Sequence, residues 1–188
     1  GRDINNAGDL AVAASGGSAD SNGIAYANVY AQGLYTTGRV VNVGDIKMTA
    51  TAGEADANDR ADTSAVAQAI HANGGVDNSG AITIRVAGGT AHATEFACAT
   101  TAAYGIYAGS NVNNAGPITL RATGGTANAN NAASASTAYG IYVTADGNLT
   151  NTGVIRAVAD VAYELYVADG ATTTLVDAYR VTLDGDPC

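Results

Sequence analysis

The sequence predicts an all-β fold, a right-handed parallel β-helix (β-solenoid) of about five coils with a 36-residue repeat. Three observations predict it: a short phrase recurs at a nearly constant interval, apolar residues alternate within that phrase, and small side chains dominate the composition. A fixed period of roughly 20 to 50 residues is typical of solenoids, propellers and other repeat arrays.

The recurring phrase is clearest in "VDNSGAITIRVAGG" at 76–89 and "VNNAGPITLRATGG" at 112–125. Aligning all copies on one glycine gives intervals of 36, 36, 36 and 37 residues. The glycine column is Gly8, Gly44, Gly80, Gly116 and Gly153, and the asparagine column is Asn6, Asn42, Asn78, Asn114 and Asn151. We expect the asparagines to form a structural ladder of amide hydrogen bonds along the rod. We expect the glycines to supply a positive φ at a sharp corner.

The apolar residues of the phrase alternate with polar ones, as in a strand with one buried face. In "ITIRV", this pattern points Ile82, Ile84 and Val86 inward and Thr83 and Arg85 toward water. A propeller blade needs about four strands with bulky aromatic residues, and helical repeats need a leucine-rich 3.6-residue period, so neither fits. The remaining repeat architecture is a parallel β-solenoid, whose coils stack about 4.8 Å apart.

A second motif occurs once in each repeat as "AQGLY", "AQAIH", "AYGIY", "AYGIY" and "AYELY". Its last position forms a column of Tyr35, Tyr107, Tyr142 and Tyr166, with His71 in the second copy. A neighbouring column holds Tyr104, Tyr139 and Tyr163, with Gln32 and Gln68 in the first two copies. The columns fit either an aromatic ladder that supports coil stacking or an exposed strip that binds sugar rings or a protein.

The spacing of the motifs predicts one β-solenoid domain over residues 1–188. Its coils start near residues 4, 40, 76, 112 and 149, and residues 168–188 form a partial further coil or a tail. The last coil lacks the alanine-rich segment seen as "GGTAHATEFACA" at 88–99. Because that segment also alternates, we expect it to lengthen the strands of the first four coils rather than to form a loop.

Composition and charge narrow the partners. Gly numbers 24, Trp is absent, and hydrophobic residues reach 47% mainly because alanine is abundant, which suits closely stacked backbones. A net charge of −9 disfavours nucleic acid, since no basic patch is evident that would neutralise phosphates. No apolar run approaches the roughly 18 residues of a membrane span, so we expect no membrane insertion. Without an initiator methionine or signal peptide, the chain is expected to be a mature or excised piece.

Catalytic and metal motifs are absent from the sequence, so we predict no enzyme activity, no cofactor and no metal. His71 occupies a tyrosine column, and His92 lies in the alanine-rich segment. The acidic group Glu54, Asp56, Asp59 and Asp62 is expected to be a solvated tip rather than a calcium site, which needs more converging oxygens. Cys98 and Cys188 fit free thiols, a pair or an intermolecular bond.

The segments "NVNNAGPITLRA", "AYGIYVTADGNLTNTGVIRA" and "AYELYV" resemble the repeat regions of bacterial autotransporter passenger domains and related surface β-helix proteins. The resemblance covers Ile4 to about Val167. It implies a non-enzymatic structural or adhesive rod, secreted or held at the bacterial cell surface. The alternatives are a carbohydrate-binding or phage-spike-like β-helix, and a self-assembling filament or surface-layer subunit. The implied partners are further copies, stacked end to end or laterally, or glycans or proteins on host or neighbouring cells.

Overall fold

The computed structural model describes residues 1–143, 148–167 and 173–175. These residues form twenty β-strands and no helix, and therefore no helix that could cross a membrane. The strands belong to four parallel sheets, which we label A to D, and each of the first four coils passes through them in that order. The predicted all-β parallel solenoid is confirmed.

Each sheet stacks one strand from every coil that reaches it. Sheet A contains β1 (Ile4–Asn6), β5 (Val40–Asn42), β9 (Val76–Asn78), β13 (Val112–Asn114), β17 (Leu149–Asn151) and β20 (Thr173–Leu175). Sheet B contains β2 (Leu10–Ser15), β6 (Ile46–Thr51), β10 (Ile82–Ala87), β14 (Ile118–Thr123) and β18 (Ile155–Val158). Sheet C contains β3 (Ser18–Ser21), β7 (Glu54–Ala57), β11 (Thr90–His92) and β15 (Thr126–Asn128). Sheet D contains β4 (Ile24–Thr36), β8 (Arg60–Ala72), β12 (Phe96–Ala108), β16 (Asn131–Val143) and β19 (Val161–Val167).

The number of complete coils is four, one fewer than the predicted count of about five. Only the first four coils contribute a strand to all four sheets, with a register of 36 residues between β8 and β12. The fifth coil omits sheet C and passes from β18 to β19 through two residues. The corresponding segments of the first four coils thus form strands β3, β7, β11 and β15 with the adjoining half of sheet D, as the alternation predicts.

A reciprocal pair of hydrogen bonds anchors the shortened coil. The carboxylate of Asp160 accepts a hydrogen bond from the backbone N–H of Ser136 at 2.9 Å. The backbone N–H of Asp160 donates to the Ser136 hydroxyl at 2.8 Å. Asp160 therefore supplies hydrogen-bond partners to Ser136 of β16, at the point where the pairing of β16 with β19 begins.

The interior has two parts of different character. The main core holds columns of large aliphatic residues from sheets A, B and the second half of sheet D, among them Ile46, Met48, Ile82, Ile84, Ile106, Ile118, Leu120, Ile141 and Ile155. The second core, beneath sheet C, consists of alanine alone: Ala25, Ala27, Ala55, Ala57, Ala61, Ala91 and Ala97. Alanine keeps this layer thin, which accounts for the unusual composition.

The glycine column serves close stacking rather than a positive φ, so that part of the prediction is wrong. None of these glycines has a φ in the left-handed region. A Cβ atom on Gly44, Gly80, Gly116 or Gly153 would instead overlap the carbonyl oxygen of the glycine one coil earlier. Glycine is needed because successive backbones approach more closely than any side chain allows.

The asparagine column forms a continuous amide ladder. Each side-chain Nδ2 donates to the Oδ1 of the next asparagine at 2.7 Å, from Asn6 through Asn42, Asn78 and Asn114 to Asn151. The same Nδ2 atoms donate to the glycine carbonyl oxygens two residues later, at 2.7–2.9 Å. The last four asparagines are at most 2% exposed. The ladder therefore links successive coils and satisfies the glycine carbonyl oxygens where the chain turns from sheet A to sheet B.

Candidate functional site

A local break in the strands of sheet D places both tyrosine columns on the outer face. In a regular strand, residues three positions apart point to opposite faces. In β12, however, Gly105 and Ile106 are both buried, while Tyr104 and Tyr107 are both half-exposed. The pairing register skips Gly105, where a Cβ would lie 2.9 Å from Ile118 Cγ2. The break therefore turns both tyrosines outward.

The column that contains Tyr35, His71, Tyr107 and Tyr142 is a continuous row of ring contacts. The Tyr35 and His71 ring centroids lie 5.0 Å apart, and those of His71 and Tyr107 lie 4.7 Å apart. Tyr107 and Tyr142 stack at 5.0 Å with ring planes 6° apart. Tyr166 pairs with Tyr142 in the backbone register, and its side chain lies outside the described residues. Each such contact is worth about 0.5–1.5 kcal/mol, so the column stabilises coil stacking.

The neighbouring column, which contains Tyr104 and Tyr139, completes a two-by-two block of tyrosines. Tyr104 and Tyr139 stack at 5.2 Å with planes 4° apart, and Tyr139 meets Tyr142 edge to face at 5.5 Å. We call Tyr104, Tyr107, Tyr139 and Tyr142 the tyrosine block. Stacked neighbours cover ring faces within the block, so it is a rigid wall rather than a set of independent rings.

The second coil interrupts the aromatic columns with polar residues. Gln68 replaces a tyrosine there and is only 6% exposed. Its Oε1 accepts hydrogen bonds from the Tyr30 hydroxyl at 2.8 Å and from Gln32 Nε2 at 3.3 Å. His71 Nδ1 lies 3.2 Å from the same oxygen. Because a carbonyl oxygen only accepts, this contact requires a proton on Nδ1.

The interruption opens a groove of about 530 Å³ beside the tyrosine block. Tyr30, Val66, Gln68 and His71 complete its lining. Tyr30 stands on the rim with 57% of its surface exposed. The volume lies in the range of roughly 300–1,000 Å³ that is typical of ligand pockets, and the lining combines apolar walls with a few fixed polar groups.

Burial changes the pKa of two tyrosines that line the groove, Tyr104 and Tyr30. Burial raises the pKa of the Tyr104 hydroxyl above its ordinary value, and the nearby hydroxyls of Tyr142, Tyr107 and Tyr30 raise it further. Burial and then Tyr35 raise the pKa of Tyr30. Both hydroxyl groups are therefore protonated at neutral pH. The Tyr104 hydroxyl can donate a hydrogen bond to a ligand, whereas the Tyr30 hydroxyl already donates to Gln68 and offers its oxygen as an acceptor.

A larger groove, of about 720 Å³, crosses the outer face of sheet A. Its lining is mainly polar and includes Asn111, Asn113 and the Arg39–Asp77 ion pair. Its lining contains no aromatic residue, so the groove on sheet D, with its aromatic wall, is the better candidate.

The other residues that the sequence singled out lie apart from the groove on sheet D. His92 is on sheet C, with its Nδ1 at 3.2 Å from Asn128 Nδ2. Glu54 and Asp56 are exposed on β7, whereas Asp62 pairs with Arg60 at 2.7 Å. Within the described part of the chain, no group of three or more His, Cys, Asp or Glu residues is arranged to hold a metal. The asparagine ladder is buried and contributes nothing to the groove.

The two cysteines differ in what the structure describes. Cys98 lies on the outer side of β12 and is disulfide-bonded. Cys188 lies outside the described residues. The thiol of Cys98 is therefore not a candidate nucleophile.

Sequence reasoning missed Tyr30 and the central role of Gln68. Tyr30 shares the outward alternation of β4 with Tyr26 and Asn28, and that pattern is the signal that could have identified it. The break that joins the two columns has only a faint signal, the glycine between the aromatic positions at Gly105 and Gly140. No protein-family model, no curated protein and no solved structure matches this chain.

Proposed function

We propose that the protein is a non-enzymatic structural or adhesive rod that acts outside the cell, at a bacterial surface, with the outer face of sheet D as its binding surface. The observation that carries the proposal is the groove between Tyr30 and the tyrosine block. The proposed partners are glycans or proteins of a host or neighbouring cell.

The rigidity of the scaffold supports this proposal. The tyrosine block is fixed by ring stacking, and Gln68 is held by three polar neighbours. A ligand that enters such a preorganised groove orders few side chains, and each side chain that has to be immobilised on binding costs about 0.5–1.5 kcal/mol. Rigid tyrosines also give a large contact area at low entropic cost.

The chemistry of the groove fits a sugar ring better than an extended apolar ligand. Val66 and the aromatic rings offer an apolar surface for the C–H face of a sugar. The hydroxyl groups of the tyrosines and the free Nε2 of His71 can hydrogen-bond to sugar hydroxyls. A carbohydrate-binding β-helix is thus the form of the adhesive function that we favour.

Two exposed tyrosines of β4 provide a matched test. Tyr30 lines the groove and is 57% exposed, whereas Tyr26 is 56% exposed on the same strand and does not line it. On a glycan and extracellular-matrix array, we expect Tyr30→Ala to abolish the binding shown by the wild type and Tyr26→Ala to retain it. The double variant Tyr107→Ala/Tyr142→Ala should also lose binding. If wild type binds nothing, or both single variants bind equally, the groove is only a by-product of coil stacking.

Self-assembly is a second candidate function, favoured by an open edge in sheet C. Because the fifth coil omits this sheet, β15 has one strand neighbour, β11, among the described residues. Uncharged edge strands are prone to pair with another chain. Electron microscopy at rising protein concentration should then show lateral assemblies or fibres. A Thr126→Lys substitution, which adds a charge to β15 and keeps the backbone hydrogen bond to Gly89, should suppress them. Particles that stay single at every concentration would exclude this candidate.

A further inference from the structure

The outer face of sheet B collects half of the chain's cations. Four of the eight lysine and arginine residues are exposed on this face: Lys47, Arg85, Arg121 and Arg156. The described strands of sheet B contain no Asp or Glu residue. In a protein of net charge −9, this segregation produces a local cationic surface that total charge conceals.

Two of these cations face each other without compensation. Arg85 is the direct register partner of Arg121 in adjacent strands, about 4.8 Å apart. Like charges in directly opposite positions destabilise a sheet. The ion pairs of the described residues, Arg39 with Asp77 and Arg60 with Asp62, lie on other sheets. An anion bound between the two guanidinium groups would remove this repulsion.

The arginines border a shallow trough of about 180 Å³. Its other outward residues are mainly threonines, Thr49, Thr51 and Thr123, whose hydroxyl groups both donate and accept hydrogen bonds. The trough is large enough for one charged substituent and its hydroxyl-bearing ring but not for a nucleic acid duplex. Guanidinium groups bind carboxylate and sulfate-like oxyanions in a bidentate manner.

We infer that the outer face of sheet B is a binding site for an anionic glycan, a saccharide chain that carries carboxylate or sulfate groups. Arg85 and Arg121 hold one such group between them, and the threonine hydroxyls bind the hydroxyls of the sugar. Lys47 and Arg156 occupy one outward column, at opposite ends of the row Lys47, Thr83, Thr119 and Arg156. They are placed to meet the next charged groups of a chain that runs along the rod.

This site is independent of the groove on sheet D. Sheets B and D pack against each other through the main core, so their outer faces point away from each other. Substitutions on one face therefore leave the other intact, and the two proposals can fail separately.

The test compares two double variants with the same change in net charge. Arg85→Gln/Arg121→Gln removes the stacked pair, and Arg2→Gln/Arg39→Gln removes two exposed arginines elsewhere. Binding to immobilised heparin, polygalacturonate and neutral dextran is measured at increasing salt, after circular dichroism has shown that each variant is folded. Heparin and polygalacturonate distinguish sulfate from carboxylate recognition.

We expect wild type to bind at least one acidic polymer but not dextran, with affinity that falls as salt screens the charges. The sheet B variant should lose about tenfold or more in affinity, whereas the control variant should stay within about twofold. Equal losses in both variants would show a general charge effect and overturn the inference. Absence of binding, or salt-sensitive self-association that only the sheet B variant loses, would also overturn it, the latter in favour of a contact between copies.

Discussion

Replacing Asn114 by Asp should destabilise the fold strongly, although the two side chains have the same shape. Asn114 is fully buried. Its Nδ2 donates to the carbonyl oxygen of Gly116 at 2.8 Å and to Asn151 Oδ1 at 2.7 Å, and its Oδ1 accepts from Asn78 Nδ2 at 2.7 Å. The substitution removes both donated hydrogen bonds and turns a second oxygen toward two acceptors.

The expected loss follows from the bonds that are broken. Each buried hydrogen bond contributes about 1 kcal/mol net, and an acceptor left without a partner costs about 1–3 kcal/mol. A buried unpaired carboxylate adds a desolvation cost. We therefore expect the free energy of unfolding to fall by about 3–5 kcal/mol at neutral pH.

The loss should depend on pH in a defined direction. Burial near carbonyl oxygens raises the pKa of the new carboxyl above its unfolded value of about 3.9. The folded state then favours the protonated form, which can donate one hydrogen bond. Stability of the variant should therefore rise as pH falls through the raised pKa, and the difference from wild type should shrink.

The assay is urea unfolding followed by circular dichroism at about pH 7 and about pH 5, above and within the expected titration of a buried carboxyl. Asn113→Asp is the matched control, because Asn113 is the exposed neighbour on the same strand and the charge change is identical. An Asn114 variant as stable as the Asn113 variant would refute the ladder as a source of stability.

Three other substitutions test features of the coils. Gly80→Ala should cost more than about 2 kcal/mol in free energy of unfolding because its Cβ would overlap a carbonyl of the previous coil, whereas Gly8→Ala, which has open space, should change little; equal effects would contradict the stacking explanation. The pKa of Tyr104 is raised in the folded state, so the fold favours the protonated form and loses stability as pH rises above about 10. In thermal unfolding at alkaline pH, Tyr104→Phe should therefore lose less stability than the wild type. Equal losses of stability in the two proteins would contradict this expectation. Asp160→Ala should increase amide exchange at Ser136, with a cost of about 1–2 kcal/mol, and unchanged protection would show that the shortened coil needs no anchor.

The sequence was sufficient to predict whatever depends on repetition. Stacking places equivalent residues above one another, so aligned columns such as Ile82 with Ile118 translate directly into register. The same reasoning predicted the inward and outward sides of β10, including exposed Arg85. Register in a solenoid is set by the hydrophobic pattern, which the sequence displays.

Features that depend on approach between backbones could not be predicted. The steric need at Gly80 arises from the carbonyl of another coil, and local rules favoured a positive φ instead. Whether Tyr104 and Tyr107 share a face depends on the strand break at Gly105, which alternation alone does not reveal. The cationic surface was also missed, because Arg85 and Arg121 are distant in sequence and become neighbours only through stacking.

The asparagine ladder gives the rod a direction. Every amide donates toward the following coil, so the dipoles of five side chains add along the axis instead of cancelling. A finished coil presents an N–H group to its successor, and only a side chain with an oxygen at the same place completes the contact. The ladder ends where β20 places Leu175 in register with Asn151, because a leucine side chain has no oxygen to accept the next N–H group.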